Sequence, residues 1–359
     1  MELTAETFPY SSFPTPSSRI IAANTHGARM KRLFLVLALC FAFATGAQAQ
    51  KTSCAVAGQN NAFLGIQTIR LWAGPAPQAK GDGCDDIPTL TIFEPHHGTE
   101  NGSAVIIFPG GAYRDLAANL EGRQYADWFT ARGFRAFVLS YRLTGNGYVL
   151  PVPLLDARRA IQIVRSRARD YFINPDRIVV IGSSAGGHLA ALAGTQFVPG
   201  KPEAEDPTER VSSRPDYLVL VYPWIGAITT DTSHLSYCKI FNLMDQCDAL
   251  RAAYSPDLFV TKDTPPTFWY HTFNDQTVPL EQGLRFYEAL VKAGVPSEAH
   301  IFPNGAHGSG LGKGDAALDQ WPSLLETWLR GQGLLTKDSS VAQPKPQATQ
   351  ALDSRSPGQ

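Results

Sequence analysis

Two serines stand side by side in the run Ile181-Gly-Ser-Ser-Ala-Gly-Gly-His188. A serine hydroxyl acts as a nucleophile when a tight turn presents it and a base takes its proton. Branched apolar residues 178–182 lead into this run, and an Ala/Leu-rich stretch leads out of it. A phosphate loop is excluded, because no Lys follows the glycines, and the glycine spacing is not that of a dinucleotide-binding turn. Gly182-Ser183-Ser184-Ala185-Gly186 does fit G-x-S-x-G. In that pattern the serine projects from a strand-to-helix turn, and the residues two before and two after it must be small. The rule selects Ser184: with Ser183 as the nucleophile, Ile181 would fill a site with no room for it. The N–H of Ala185, opening the helix, then faces a developing oxyanion.

A nucleophilic serine needs a base, and the base needs an acid to orient it. For a serine on this kind of turn they follow in the order acid, then histidine, each at the end of a strand. Asp275 stands one step past the apolar run 267–273, in a turn that Pro279 helps to fix, and His307 lies in the Gly-rich loop after 298–302. His271 and His300 fall inside those runs and read as packed or surface side chains. His188 follows the turn on the helix and reads as a supporting residue. The oxyanion also needs donors from the loop after the third apolar run, Pro109-Gly110-Gly111-Ala112-Tyr113. Gly111 and Ala112 supply the N–H groups, and Gly110 lets the backbone approach. Adjacent His96 and His97 lack metal-ligand spacing, so neither a metal nor a cofactor is expected.

These residues need a scaffold. Runs 64–72, 88–93, 104–108, 135–141, 178–182, 217–222, 267–273 and 298–302 are rich in Val, Ile, Phe and Tyr and read as strands. The middle ones are apolar on both faces, as buried parallel strands are. Ala157, Ile161, Val164 and Ala168 recur at helical spacing within 154–171, and 282–293 and 315–331 behave alike. The alternation predicts an α/β fold with a mainly parallel sheet of about eight strands and helices on both faces. The first two strands have no helix between them and are expected to be antiparallel additions. Long insertions at 198–215 and 224–263 have the length of lids and pocket walls.

The 359-residue chain has a net charge of −1 and no basic cluster interleaved with aromatics, which argues against a nucleic-acid partner. Met30-Lys31-Arg32, the apolar run 33–47 and Ala47-Gln48-Ala49 have the parts of a secretory signal. The apolar run is too short to span a bilayer, so no stable membrane insertion is expected after cleavage. The expected organisation is an upstream extension at 1–29 with the true start at Met30, a signal at 30–49, a catalytic domain at 50–335 and a polar, disordered tail at 336–359. The product would be exported, to the periplasm or beyond the cell. Cleavage would leave Cys54, Cys84, Cys238 and Cys247. An even number permits two disulfides, with Cys54–Cys84 and Cys238–Cys247 favoured among three pairings.

The segments AVIIFPGGAYRDLA, EGRQYADWFTARGFRAFVLSYRL, DARRAIQIVRSRA, INPDRIVVIGSSAGGHLAA, DTPPTFWYHTFNDQTVP and NGAHGSGL carry a resemblance. Over residues 62–332 the chain resembles secreted bacterial α/β-hydrolase esterases, particularly the acetyl xylan esterase and feruloyl esterase-like group. The resemblance implies Ser184, Asp275 and His307 as a triad, and hydrolysis of short-chain esters such as acetyl groups on plant-polysaccharide fragments. The implied partner is therefore a small-molecule or oligosaccharide ester. Ala112 departs from the third glycine usual in that group's oxyanion loop, and Ser309 from an aromatic residue. An amide hydrolase or a peptidase of the same fold, or a binding protein that kept the fold, are the competing readings.

Overall fold

The computed structural model describes residues 66–228 and 236–341. The upstream extension, the signal segment, Cys54 and residues 342–359 lie outside the described residues, and with Cys54 so does its expected pairing to Cys84. Eight strands form one sheet: β1 Ile66–Arg70, β2 Thr89–Phe93, β3 Ala104–Phe108, β4 Arg135–Ser140, β5 Ile178–Ser183, β6 Tyr217–Val221, β7 Thr267–Thr272 and β8 Ser297–Phe302. Their order is β1-β2-β4-β3-β5-β6-β7-β8. β1 and β2, which have no helix between them, pair antiparallel, as does β2 with β4, and the remaining pairs are parallel. The central strands β3, β5 and β7 are buried along their whole length, which their run of branched and aromatic residues requires.

Side chains alternate between two cores. Ile106, Phe108, Val180, Leu220 and Trp269 pack on one face, Val105, Ile107, Val179, Val219 and Tyr270 on the other. The first face is covered by helices α2 Val152–Ser166, α3 Ala185–Thr195 and α6 Leu280–Lys292, which contribute Ala157, Ile161, Leu189 and Phe286. The second is covered by α1 Gln124–Thr130 and α7 Trp321–Gly331, through Tyr125, Phe129, Trp321 and Leu325. The short helices α4 Tyr237–Ile240 and α5 Cys247–Tyr254 stand in the second insertion, joined by a Cys238–Cys247 disulfide.

Some boundaries differ from expectation. α7 begins at Trp321 rather than near 315, because Asp315 Oδ1 accepts from the amides of Ala317 and Leu318 and holds a turn there. α2 ends at Ser166, and the chain then turns through Phe172 at φ 51°. Residues 336–341, expected to open an unstructured tail, pack on the body: Asp338 sits 3.3 Å from Arg177 and accepts from Asn174 at 2.8 Å.

The chain runs from β3 to β4 on one side, then back across β3 to β5 on the other. Loops leaving the carboxyl ends of β3 and β5 therefore diverge, and a crevice opens at such a reversal. Phe108 of β3 pairs with Gly182 of β5 at that edge. Both the 109–113 loop and the serine turn emerge there.

Candidate active site

Ser184 links β5 to α3 at φ 52° and ψ −118°, a conformation an L-residue adopts only under constraint. Its amide donates to Val221 O at 3.0 Å, and its carbonyl accepts from the Trp224 and His188 amides at 2.9 and 3.1 Å. The flanking glycines are a steric necessity: a Cβ on Gly182 would meet Gly186 O at 2.2 Å, and one on Gly186 would meet Phe108 O at 2.0 Å. Ser183 points away from the crevice and is fully buried, its Oγ bonded to Tyr125 Oη at 3.0 Å.

Ser184 Oγ lies 2.8 Å from His307 Nε2, and His307 Nδ1 lies 2.7 Å from Asp275 Oδ2. The second carboxylate oxygen accepts from the Thr277 and Val278 amides, both at 2.8 Å. Burial acts to raise the Asp275 pKa, but hydrogen bonds from His271, His307 and Val278 outweigh it and hold the carboxyl well below its usual range. It is an anion at any pH near neutrality, so Nδ1 of His307 carries the proton and Nε2 is free to accept.

His271 contributes more than packing. Its Nε2 lies 2.8 Å from Val278 O and 3.3 Å from Asp275 Oδ2, while its buried Nδ1 has no partner among the described residues. The ring therefore carries its proton on Nε2, pointing between the two acceptors, and steadies the acidic turn. Its position four residues before Asp275 in a strand was the available signal. His300 instead bonds Glu298 at the edge strand, 2.7 Å away.

The 109–113 loop is held from several sides. Gly111 stands at φ 130°, and Ala112 and Tyr113 at 54° and 58°. The Gly111 and Ala112 amides have no acceptor among the described residues. Tyr141 donates to Pro109 O at 2.7 Å, and Gly110 N donates to Glu121 Oε2 at 2.9 Å. Tyr113, fully buried, meets His188 Nδ1 at 2.8 Å, and His188 Nε2 lies 3.0 Å from Tyr254 O in the second insertion. The carbonyl can only accept, so Nε2 carries the proton and Nδ1 accepts from Tyr113. Burial lowers the His188 pKa from 6.5 to about 4, so the ring is neutral. The same insertion presses Tyr237 edge-on against Tyr113, centroids 5.6 Å apart. Ser309, the other departure from the family pattern, bonds Tyr270 Oη at 2.9 Å.

Among the described residues no group of three or more His, Cys, Asp or Glu side chains could hold a metal ion, and no helix is long and apolar enough to cross a membrane. A parallel sheet that reverses order beneath a strained serine, with an acid and a histidine from the next loops closing on it, defines an α/β-hydrolase. A family model described as BD-FAE matches residues 90–290, and the chain belongs to that family. It is 32% identical to an acetylxylan esterase of Xylanibacter ruminicola over 234 residues, covering 64% of this chain and 46% of that protein. It is 31% identical to endo-1,4-beta-xylanase B of Butyrivibrio fibrisolvens, covering 65% of this chain and 38% of that one. The chain thus spans less than half the length of these two curated relatives. Among solved structures, an acetyl ester-xyloside bifunctional hydrolase from Caldicellulosiruptor lactoaceticus superimposes with a TM-score of 0.67 at 38% identity, covering 75% of this chain and 97% of that one.

Proposed function

We propose that the chain is a serine carboxylic ester hydrolase that removes short acyl groups, acetyl foremost, from neutral plant-polysaccharide fragments. The observation that carries this reading is the unbroken contact from Ser184 Oγ through His307 to Asp275, at 2.8 and 2.7 Å. Ser184 Oγ attacks the ester carbonyl as His307 Nε2 takes its proton. Asp275 fixes the tautomer and balances the imidazolium. The N–H groups of Gly111, Ala112 and Ala185 receive the oxyanion. Collapse breaks the bond to the sugar oxygen, which takes the proton from Nε2 and leaves as a hydroxyl. Water then opens the acyl-enzyme by the same route.

Two observations support the substrate class. Of the relatives, one is named for acetylxylan, one for xylan and one for an acetyl ester and a xyloside. Beside His307 lies a cleft of about 470 Å³ lined by Asn274, Gln276, Thr277, Gly305 and Ala306. Apart from the histidine these are neutral, and paired amides and a hydroxyl suit the diols of a sugar leaving group. The N-terminal signal pattern would carry such an enzyme to polymer outside the cytoplasm.

The test uses p-nitrophenyl acetate and acetylated xylo-oligosaccharides with the purified protein. Ser184→Ala should abolish both activities and labelling by a fluorophosphonate, while Ser183→Ala keeps most of each. The reverse pattern rejects the nucleophile. Hydrolysis of the aryl ester with no release of acetate from the oligosaccharides rejects the substrate class.

A further inference from the structure

Beside the serine turn the mechanism leaves a buried carboxylate unused. Glu121 is 3% exposed. Its Oε2 accepts from Gly110 N at 2.9 Å and its Oε1 from Tyr222 Oη at 2.8 Å. The Tyr222 oxygen in turn accepts from Gly310 N at 3.0 Å, and the Tyr222 ring packs on His307 with centroids 4.9 Å apart. A Cβ on Gly110 would meet Glu121 Oε2 at 2.5 Å and Ser184 Cβ at 3.1 Å, so a single backbone position separates the carboxylate from the nucleophile.

The hydrogen bonds around Glu121 are those an anion makes. Gly110 N–H can only donate, and Tyr222, already accepting from Gly310, has its proton for Glu121. Both carboxylate oxygens therefore accept, as an anion's do. Burial raises the Glu121 pKa, and the Tyr222 and Gly110 hydrogen bonds, with the charge of His307, oppose it. Around Glu121 stand Tyr125 from α1, Tyr141 after β4, Tyr222 after β6 and Tyr270 from β7. Among the described residues, the group whose positive charge acts on Glu121 is His307. His307 also faces Asp275 after β7, with His271 behind that carboxylate, and Ser184 after β5. A buried anion held by two neutral donors is costly unless a positive charge compensates for it, and that charge arises at His307 only while the reaction proceeds.

We propose that Glu121 is a positioning residue that locks the oxyanion loop to the histidine loop through Gly110 and Tyr222 and stabilises the imidazolium form of His307 as a second carboxylate. The inference rests on the reading of Ser184, His307 and Asp275 as a triad. Asp275 acts on Nδ1 by direct contact; Glu121 acts from the other side, through Tyr222 and through space. Its preference is for the charged histidine, so it is felt more in the transition state than in the ground state.

Glu121→Gln keeps the shape and removes the charge. With an aryl acetate, kcat should fall roughly tenfold, a modest share of a general base's contribution, while KM stays within about twofold. The acidic limb of the kcat/KM–pH profile should move to lower pH by roughly half a unit or more, because a histidine that loses a nearby anion is protonated less readily. A merely structural residue would not move that limb. A limb that stays in place, whatever the change in kcat, overturns the proposal. If Glu121→Gln does not fold by circular dichroism, Tyr222→Phe decides. It should lower kcat roughly tenfold at unchanged KM, and wild-type kinetics in that variant overturn the proposal. Fluorophosphonate labelling separates the two levels: an unlabelled wild type refutes the triad reading itself, whereas Glu121→Gln should still label at Ser184.

Discussion

His188 makes the stability of this protein depend on pH in a way that can be calculated. The ring is fully buried between Tyr113 and the Tyr254 carbonyl, and its pKa falls from 6.5 to about 4. A base with a depressed folded pKa binds fewer protons in the native state than in the unfolded chain over that interval. Stability therefore rises with pH there. The contribution is complete above about pH 6.5 and is lost as the pH falls toward 4. The gap between 6.5 and about 4, at roughly 1.4 kcal/mol per pH unit, amounts to about 3 kcal/mol. Other carboxylates also titrate on acidification, so a reference is needed. His188→Gln supplies one donor and one acceptor in place of the two ring nitrogens and does not titrate. Urea unfolding of both proteins from about pH 7 to about pH 4 gives a difference curve in which the other groups cancel. The wild type should lose about 3 kcal/mol relative to the variant across that interval. A flat difference curve would show that His188 is not held neutral by burial, and the assignment of its tautomer would fall with it.

Three further outcomes rest on single features. Ala112 stands at φ 54°, where a methyl group is strained, so Ala112→Gly should raise the unfolding free energy by about 0.5 kcal/mol after the added chain entropy is counted; a loss in urea titration would show that the methyl group's contacts matter more. Asp156 and Arg142 form a fully buried pair, closed at 2.6 Å and by the Arg142 amide at 2.9 Å. Asp156→Asn leaves that guanidinium uncompensated and should cost about 3–5 kcal/mol, read by thermal unfolding; a change below about 1 kcal/mol would count against the pairing. Replacing Cys238 and Cys247 by Ser opens a loop of sequence separation 9, which should cost about 2–3 kcal/mol by chain entropy. An unaltered Tm in scanning calorimetry would contradict it.

The strands were legible because buried strands concentrate Val, Ile, Phe and Tyr in short runs, most plainly in AVIIF at β3 and YLVLV at β6. The serine turn was legible for a steric reason, since the close approach of Gly182 to Gly186 leaves a mark two residues either side of Ser184. Asp275 and His307 stood out as candidates because both come after strands in a fixed order. The features that stayed hidden depend on contacts between remote positions. α1 spans only Gln124–Thr130, too short for its apolar spacing to stand out. Glu121 and Tyr222 lie 101 residues apart, and no spacing joins them. His271 reads as a packed or surface side chain because a histidine within a strand looks the same whether or not its ring supports the next turn, although the turn that bears Asp275 begins only two residues later.

These hidden contacts share a purpose. Ala112, Tyr113, Ser184 and Tyr222 all stand at positive φ, at 54°, 58°, 52° and 36°. Each such residue costs on the order of 1 kcal/mol or more, and none would keep its conformation in a free loop. Tyr113, Ser184 and Tyr222 each have an anchor on another element, and Ala112 is held between its anchored neighbours. Tyr113 is tied to α3 by His188, and its carbonyl accepts from Gly145 N at 3.0 Å. Ser184 is tied to Val221 and Trp224, and Tyr222 N donates to Tyr270 O at 2.8 Å. The Gly110 and Pro109 peptides are tied to Glu121 and Tyr141. The strain is local and short-range in sequence, whereas the bonds that oppose it are long-range. The serine turn can therefore be read from a few letters, while the network that holds it strained becomes visible only once the sheet has brought its ends together.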